Sequence, residues 1–154
     1  MVFKPLNLPL AQLKLKRKGE TLFVRCFIRN KEVVLTPEEW VRQHLVHYLI
    51  QHAGYQKGKI AVEYALKYNG TIKRCDILIF NDLGSPLVII ECKAPEVMID
   101  ENTFYQAAKY DHTLNATCLM VSNGLSHFSV LKTEEGRQLN LMEHILTWDE
   151  LKKY

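Results

Sequence analysis

Hydrophobic positions along the chain recur with two periods, and the switches between them mark out its elements. "AQLKLKRKGETLFVRCFI" alternates apolar and polar residues on both sides of Lys18-Gly19-Glu20, which predicts a short hairpin. "EVVL" adds another short strand. The period then changes. In "LTPEEWVRQHLVHYLIQHAGY", Trp40, Val41, Leu45, Tyr48 and Leu49 fall at helical spacing. Thr36 suits the N-cap, Pro37 the first turn, Glu39 a capping box and Gly54 the end. "KIAVEYALKY" and "TIKRCDILIF" alternate around Asn69-Gly70, a strong hairpin signal. "NDLGS" makes a second turn and "PLVIIECK" a third strand. A helix is expected over Glu101–Leu114, then an apolar strand in "ATCLMVSNG" and a strand pair in "HFSVLKT" and "RQLNLME". "TWDELKKY" predicts a short closing helix capped by Thr147.

This order predicts an α/β fold. A central mixed β-sheet, made of a three-strand meander plus further strands, is flanked by helices. With 154 residues the chain is expected to form a single domain over residues 1–154, with 1–35 as an N-terminal β extension. A composition of 47% hydrophobic and 24% charged residues fits a globular chain rather than a disordered one. No apolar run approaches a membrane span, and the N-terminus lacks a basic start followed by an apolar stretch. No membrane partner and a cytoplasmic location are therefore expected. Cys26, Cys75, Cys92 and Cys118 are scattered among apolar residues without a Cys-x-x-Cys pair, and read as buried reduced thiols. The net charge of +3 permits nucleic acid without requiring it. Lys14, Lys16, Arg17 and Lys18 either touch phosphates or guard a solvated edge strand.

The chemistry concentrates at "IIECKAP", where an apolar run ends in Glu91 and Lys93. Strand alternation puts Leu87, Ile89, Glu91 and Lys93 on one face, and Arg74, Asp76, Leu78 and Phe80 on one face. If the "NDLGS" turn sets Phe80 opposite Leu87, Asp76 stands opposite Glu91, with Cβ atoms roughly 5 Å apart. Two carboxylates so placed repel each other. A hard divalent cation such as Mg²⁺, bound by carboxylates, waters and a substrate phosphate, would neutralise them. The lysine would then orient or deprotonate a water, or steady charge on the phosphate. Glu-x-Lys alone is an ordinary surface ion pair, and an Asp in a strand an ordinary edge device. It is the combination with an apolar lead-in and a downstream helix that points to a site. On that helix Gln106 and Tyr110, four apart, share a face. They are either solvated surface and half-buried core, or part of the same site.

These residues resemble the PD-(D/E)xK nuclease superfamily, whose core is helix, three-strand meander, helix and strand. Asp76 and then Glu91-Cys92-Lys93 match its strand motifs. "LTPEEWVRQHL", "KRCDILIF", "PLVIIECKAP", "YQAAKY" and "VSNG" look like the N-terminal nuclease domain of type I restriction enzyme R subunits, in a small single-domain form. The resemblance covers about residues 35–132. It implies a restriction-endonuclease-like fold and a Mg²⁺-dependent DNA endonuclease, with Mn²⁺ as a substitute ion. Asp76, Glu91 and the Cys92 carbonyl would bind the metal, Lys93 would be catalytic, and Gln106 and Tyr110 would support the site and the DNA backbone. The superfamily's Pro before the Asp is replaced by Cys75.

Many members add a glutamate from the first helix. Glu38, on the stripe with Val41, Leu45 and Leu49, is preferred over Glu39, which the capping box explains. Arg42 lies on the same side and would pair with a site carboxylate or a phosphate, and Glu63 either approaches the site or is exposed. The chain has no G-x-x-x-x-G-K-[ST] loop, so a helicase motor would have to come from a partner in restriction–modification. The competing reading is a non-catalytic DNA-binding or assembly module that keeps the fold. The oligomeric state is not legible, and a dimer is compatible with the sequence.

Overall fold

The computed structural model describes residues 3–132 and 139–153. Strands β1 (Leu15–Lys18), β2 (Thr21–Arg25) and β3 (Glu32–Val34) form a three-stranded antiparallel sheet. Helix α1 (Pro37–Gln51) and a 3₁₀ turn (Lys57–Lys59) lead to β4 (Ile60–Tyr68), β5 (Thr71–Phe80) and β6 (Pro86–Cys92). Helix α2 (Glu101–Leu114) crosses to β7 (Cys118–Ser122), followed by β8 (His127–Lys132), β9 (Leu139–Met142) and α3 (Trp148–Leu151). Strands β4 to β9 make one sheet in sequential order, antiparallel except for the β6–β7 pair, which α2 connects. The fold is the mixed α/β architecture that the hydrophobic pattern predicts. Arg137 and Gln138, in the last predicted strand, lie outside the described residues. Among the described residues, no helix is long and apolar enough to cross a membrane.

The apolar runs of β5, β6 and β7 are explained by cover on both faces. On one face Val41, Leu45 and Leu49 of α1 pack over Ile77, Ile79, Val88, Ile90 and Met120. On the other, Phe104, Ala108 and Leu114 of α2 pack over Leu78, Ile89 and Leu119. The N-terminal segment closes over α1. Phe3 stacks on Trp40, the Trp40 indole donates to the Lys4 carbonyl, and the Asn7 N–H donates to Gly124. Helix α1 is therefore buried almost all round, polar residues included. All four cysteines are buried free thiols.

Three local expectations need correction. Thr36 does cap α1 by accepting the Glu39 N–H, but the Glu39 side chain turns into the protein, so no capping box forms there. The boxes are at Asp100–Thr103 on α2 and Thr147–Glu150 on α3. The β5–β6 ladder has the expected register through Ile77↔Ile90 and Ile79↔Val88, but slips at Phe80, which pairs with Pro86 instead of Leu87. Pro86 has no N–H to give the ladder, so the irregularity falls beside it.

The third correction concerns the faces. Leu78 and Phe80 do face α2, but Cys75, of opposite parity, joins them there, while Asp76 reaches α1. Strand β4 makes the same switch. Ile60 and Val62 belong to the α1 core, and Leu66 and Tyr68 to the α2 core. At the switch Glu63 has φ 52°, a left-handed conformation inside a strand. The ladder keeps its register on either side, Val62↔Ile77 and Tyr64↔Cys75, so Glu63 and Asp76 lie between the same two pairs.

Candidate active site

The strands splay where the charges begin. The last β5–β6 pair is Ile77↔Ile90. One residue further on, the Asp76 carboxylate does what a backbone carbonyl would do, its Oδ2 accepting the Cys92 N–H at 2.7 Å. Its Oδ1 accepts from the Arg42 guanidinium, also at 2.7 Å. Asp76 is thus pinned between β6 and α1. On the other side of Cys92, the Lys93 N–H donates to the Ser122 carbonyl of β7, and the Asn123 amide holds the Val97 carbonyl. Both ends of the "ECKAP" segment are tethered.

Glu91 and Asp76 are each only 7% exposed, so the carboxylates are more enclosed than a solvent-open face would leave them. Glu91 Oε1 accepts from Lys93 Nζ at 3.0 Å, while Oε2 is buried with no hydrogen-bond partner. Burial and the neighbouring Asp76 charge push the Glu91 carboxyl up from 4.5 to about 7, against the pull of Lys93. Burial likewise raises Asp76, against Arg42 and the Cys92 N–H. Lys93 is held above its ordinary value: burial lowers it, and the bond to Glu91 together with the charges of Glu91, Glu38 and Asp76 more than offsets that. Its Nζ also donates to Gln106 Oε1 at 2.7 Å, so Gln106 of α2 sits directly on the lysine. Tyr110, one turn on, is half-buried, and burial together with Glu91 and Asp76 pushes its phenol up to about 12.

Arg42 is the hub on the α1 side. Its Nη1 lies 2.7 Å from Glu39 and 2.7 Å from Glu63, and its Nη2 lies 2.7 Å from Asp76 and 3.5 Å from Glu38. Both Glu63 and Arg42 therefore reach the site. The left-handed backbone of Glu63 is what turns its side chain there. Glu39 is the buried member of the glutamate pair, fixed by Arg42 and by the Gln43 amide at 2.7 Å. Glu38 has a side chain 42% exposed; burial and Asp76 raise its carboxyl, and Arg42 and Lys93 lower it. Sequence reasoning gave no role to Gln43 or Asn123. The available signal was weak: Gln43 stands among polar neighbours, Arg42 and His44, and only the Asn123-Gly124 pair after a buried strand marks a special position.

The cluster sets five carboxylates, Glu38, Glu39, Glu63, Asp76 and Glu91, against two cations, buried Arg42 and half-buried Lys93, an excess of three negative charges when all are ionised. Exposed Arg74 lies 3.8 Å from Glu63 and offsets part of this. Among the described residues no three Asp, Glu, His or Cys side chains form a ready-made metal cage. Mg²⁺ does not need one, since one or two carboxylates suffice when waters and substrate phosphates complete its shell. The unpartnered Glu91 Oε2, the second lone pair of Asp76 Oδ1 and the uncompensated charge fit such an ion.

The chain is similar in fold to a fragment of a putative HsdR subunit of a type I restriction enzyme from Vibrio vulnificus YJ016, at 20% identity and a TM-score of 0.59. The similarity covers 77% of this chain and 25% of that one, so this chain spans about a quarter of that structure's length. No curated protein matches it. The family model described as "Type I restriction enzyme R protein N terminus (HSDR_N)" matches residues 37–145, most of the chain and all of the acidic cluster. The chain belongs to the type I restriction enzyme R protein N-terminus family.

Proposed function

We propose that this chain is a Mg²⁺-dependent DNA endonuclease domain. The observation that carries the reading is Glu91, a buried carboxylate with one unpartnered oxygen, held beside Asp76 and Lys93 where the sheet splays. A structural ion pair would satisfy both oxygens. Asp76, Glu91 and the Cys92 carbonyl would hold Mg²⁺, or Mn²⁺ in its place, and Glu38 stands near enough to contribute charge. When bound, the ion supplies charge neutralisation for the phosphate and a more acidic water.

The protein's own groups supply the rest. Lys93 is cationic and fixed between Glu91 and Gln106, so it is preorganised to steady an attacking water and the charge developing on a phosphodiester. Gln106 sets the lysine's position, and its amide N–H₂, which has no acceptor among the described residues, would donate to a phosphate oxygen. Arg42 holds Asp76 in place before any ion arrives. DNA is the proposed substrate. The translocating motor and any further restriction–modification subunits are proposed as partners that this chain does not itself contain.

One observation favours the alternative, a non-catalytic DNA-binding or assembly module. Arg42 already donates to Asp76 Oδ1, as a cation in a metal's place would. Plasmid cleavage separates the two. Wild type should nick or linearise DNA in Mg²⁺ or Mn²⁺ and not in EDTA. Lys93→Ala, whose side chain ends near the surface, should fold normally and lose cleavage. Equal cleavage by the Lys93→Ala variant, or none by wild type while Ca²⁺ fails to bind, would overturn the endonuclease reading.

A further inference from the structure

A polar cavity lies further along α1 from the acidic cluster, at His47. It has a volume of about 280 Å³ and sits between the β1–β3 sheet, α1 and the 3₁₀ turn. Three cations line it, Lys14, Arg25 and Lys57, and none of its lining residues is acidic. Lys16 and Lys18 on the same hairpin are both taken up by Glu32, so they serve an edge ion pair. Lys14, Arg25 and Lys57 have no carboxylate within ion-pair reach among the described residues, Arg25 being engaged only by the Asn30 side chain at 2.7 Å.

The floor of the cavity is an aromatic stack. His47 lies on Phe27 with ring centroids 4.2 Å apart, and Lys57 Nζ is 3.9 Å from the Phe27 centroid. His47 is 8% exposed, and its Nδ1 is buried with no hydrogen-bond partner. His47 thus brings a ring nitrogen with unused hydrogen-bonding capacity to the lining of a cavity whose cations have no carboxylate partner. Burial raises the neighbouring Cys26 thiol, yet the Arg29 and Ile28 N–H groups and the Arg29 and Gln43 side chains bring it below its ordinary value, so the surroundings already favour negative charge.

We infer that this cavity binds a phosphate group. Three converging cations suit a dianionic or bridging phosphate better than a single carboxylate, and the guanidinium and ammonium groups are its usual partners. The phosphate has two sources, a free nucleotide or the backbone of a nucleic acid. The cavity also communicates with the acidic cluster through one buried amide. Gln43 Oε1 accepts the Phe27 N–H at 3.0 Å, and its Nε2 donates to Glu39 at 2.7 Å. The inference stands apart from the endonuclease reading and is tested without divalent metal.

The test follows the His47 imidazole C–H resonances by NMR in EDTA at constant ionic strength, identified by their loss in His47→Gln. Probes are inorganic phosphate, a 5′-mononucleotide and a DNA oligonucleotide without terminal phosphates, with acetate as control. Phosphate should shift His47 saturably and acetate should not. Lys14→Gln/Lys57→Gln, both at exposed positions, should keep the wild-type circular dichroism and weaken the binding by at least about fivefold. Arg25→Gln should do the same independently. A mononucleotide that binds more tightly than inorganic phosphate, with the oligonucleotide silent, assigns a free nucleotide. An oligonucleotide that saturates at the lowest concentration assigns the nucleic-acid backbone. No His47 shift with any of the three probes, or unchanged midpoints in the folded variants, would overturn the inference.

Discussion

Glu91→Gln should stabilise the metal-free protein above neutral pH while abolishing Mg²⁺-dependent cleavage. Burial and Asp76 raise the Glu91 carboxyl from 4.5 to about 7. A raised acid pKa means that the folded state holds its proton more tightly than the unfolded state. The resulting stability is complete below pH 4.5, where both states are protonated, and is lost as pH rises through about 7. The displacement corresponds to ~3 kcal/mol. Glutamine keeps the shape and the acceptor for Lys93 but never ionises, so it escapes that loss. For a domain of this size ~3 kcal/mol is a Tm difference of roughly 6–12 °C. The assay is thermal unfolding by circular dichroism in EDTA. At pH 5 wild type and variant should melt nearly together, and at pH 8 the variant should melt higher. Other groups titrate in both proteins, so the difference between them isolates Glu91. A gap of the same size at both pH values, or a variant less stable than wild type at pH 8, would refute the claim that Glu91 is held ionised against its surroundings.

Arg42→Ala leaves Glu39, Glu63 and Asp76 without their shared cation and should cost ~3–5 kcal/mol in urea unfolding, with part of it restored by Ca²⁺; a loss under ~1 kcal/mol would show that the carboxylates find other partners. At Glu63, whose φ is 52°, glycine should be more stable than alanine by ~0.5–1 kcal/mol, reversing the usual order in a strand; the usual order would mean that the left-handed backbone carries no strain. Gln106→Ala removes the acceptor that positions Lys93 and should weaken DNA binding in Ca²⁺ by up to roughly tenfold, read by fluorescence anisotropy; wild-type binding and cleavage together would make its contact with Lys93 incidental.

The elements were legible because their patterns are strong. Asn69 and Gly70 both have positive φ, as a two-residue hairpin turn requires, and the Val88–Ile90 run is buried on both faces of the sheet as its composition suggests. Glu91 and Lys93 stand at the end of β6, as its apolar run and alternation place them, whereas Asp76, expected on the face of Leu78 and Phe80, reaches α1 instead. What was not legible came from breaks in period and from segments distant in sequence. No local pattern announces that Glu63 adopts a left-handed conformation, so the face switch at Asp76 was missed. Glu39 looked like half of a capping box because it stands three residues after the Thr36 cap, to which its N–H does donate; its side chain is drawn instead to Arg42 and Gln43. Gln43 and His47 are buried only because the N-terminal strands and residues 3–8 fold over α1, a contact that the local sequence of α1 does not encode.

The departures from regular structure coincide in space. Glu63 is left-handed inside a strand, the β5–β6 ladder stops at Ile77, Glu91 keeps a buried oxygen without a partner, and five carboxylates crowd Arg42 and Lys93. Each is destabilising alone, and each has a simpler alternative that would fold better, such as an ordinary β residue at 63 or a valine at 91. Scattered through the chain they would be incidental flaws. Gathered at one end of one hairpin, under a helix that aims Gln106 at Lys93, they are what a site looks like when charge must be held ready for a ligand. The cavity at His47 follows the same logic with the opposite sign, unpaired cations around a buried unpartnered imidazole, and Gln43 joins the two. On the two proposals, α1 would carry a cation site at Arg42 and an anion site at His47, with its buried Gln43 in contact with both.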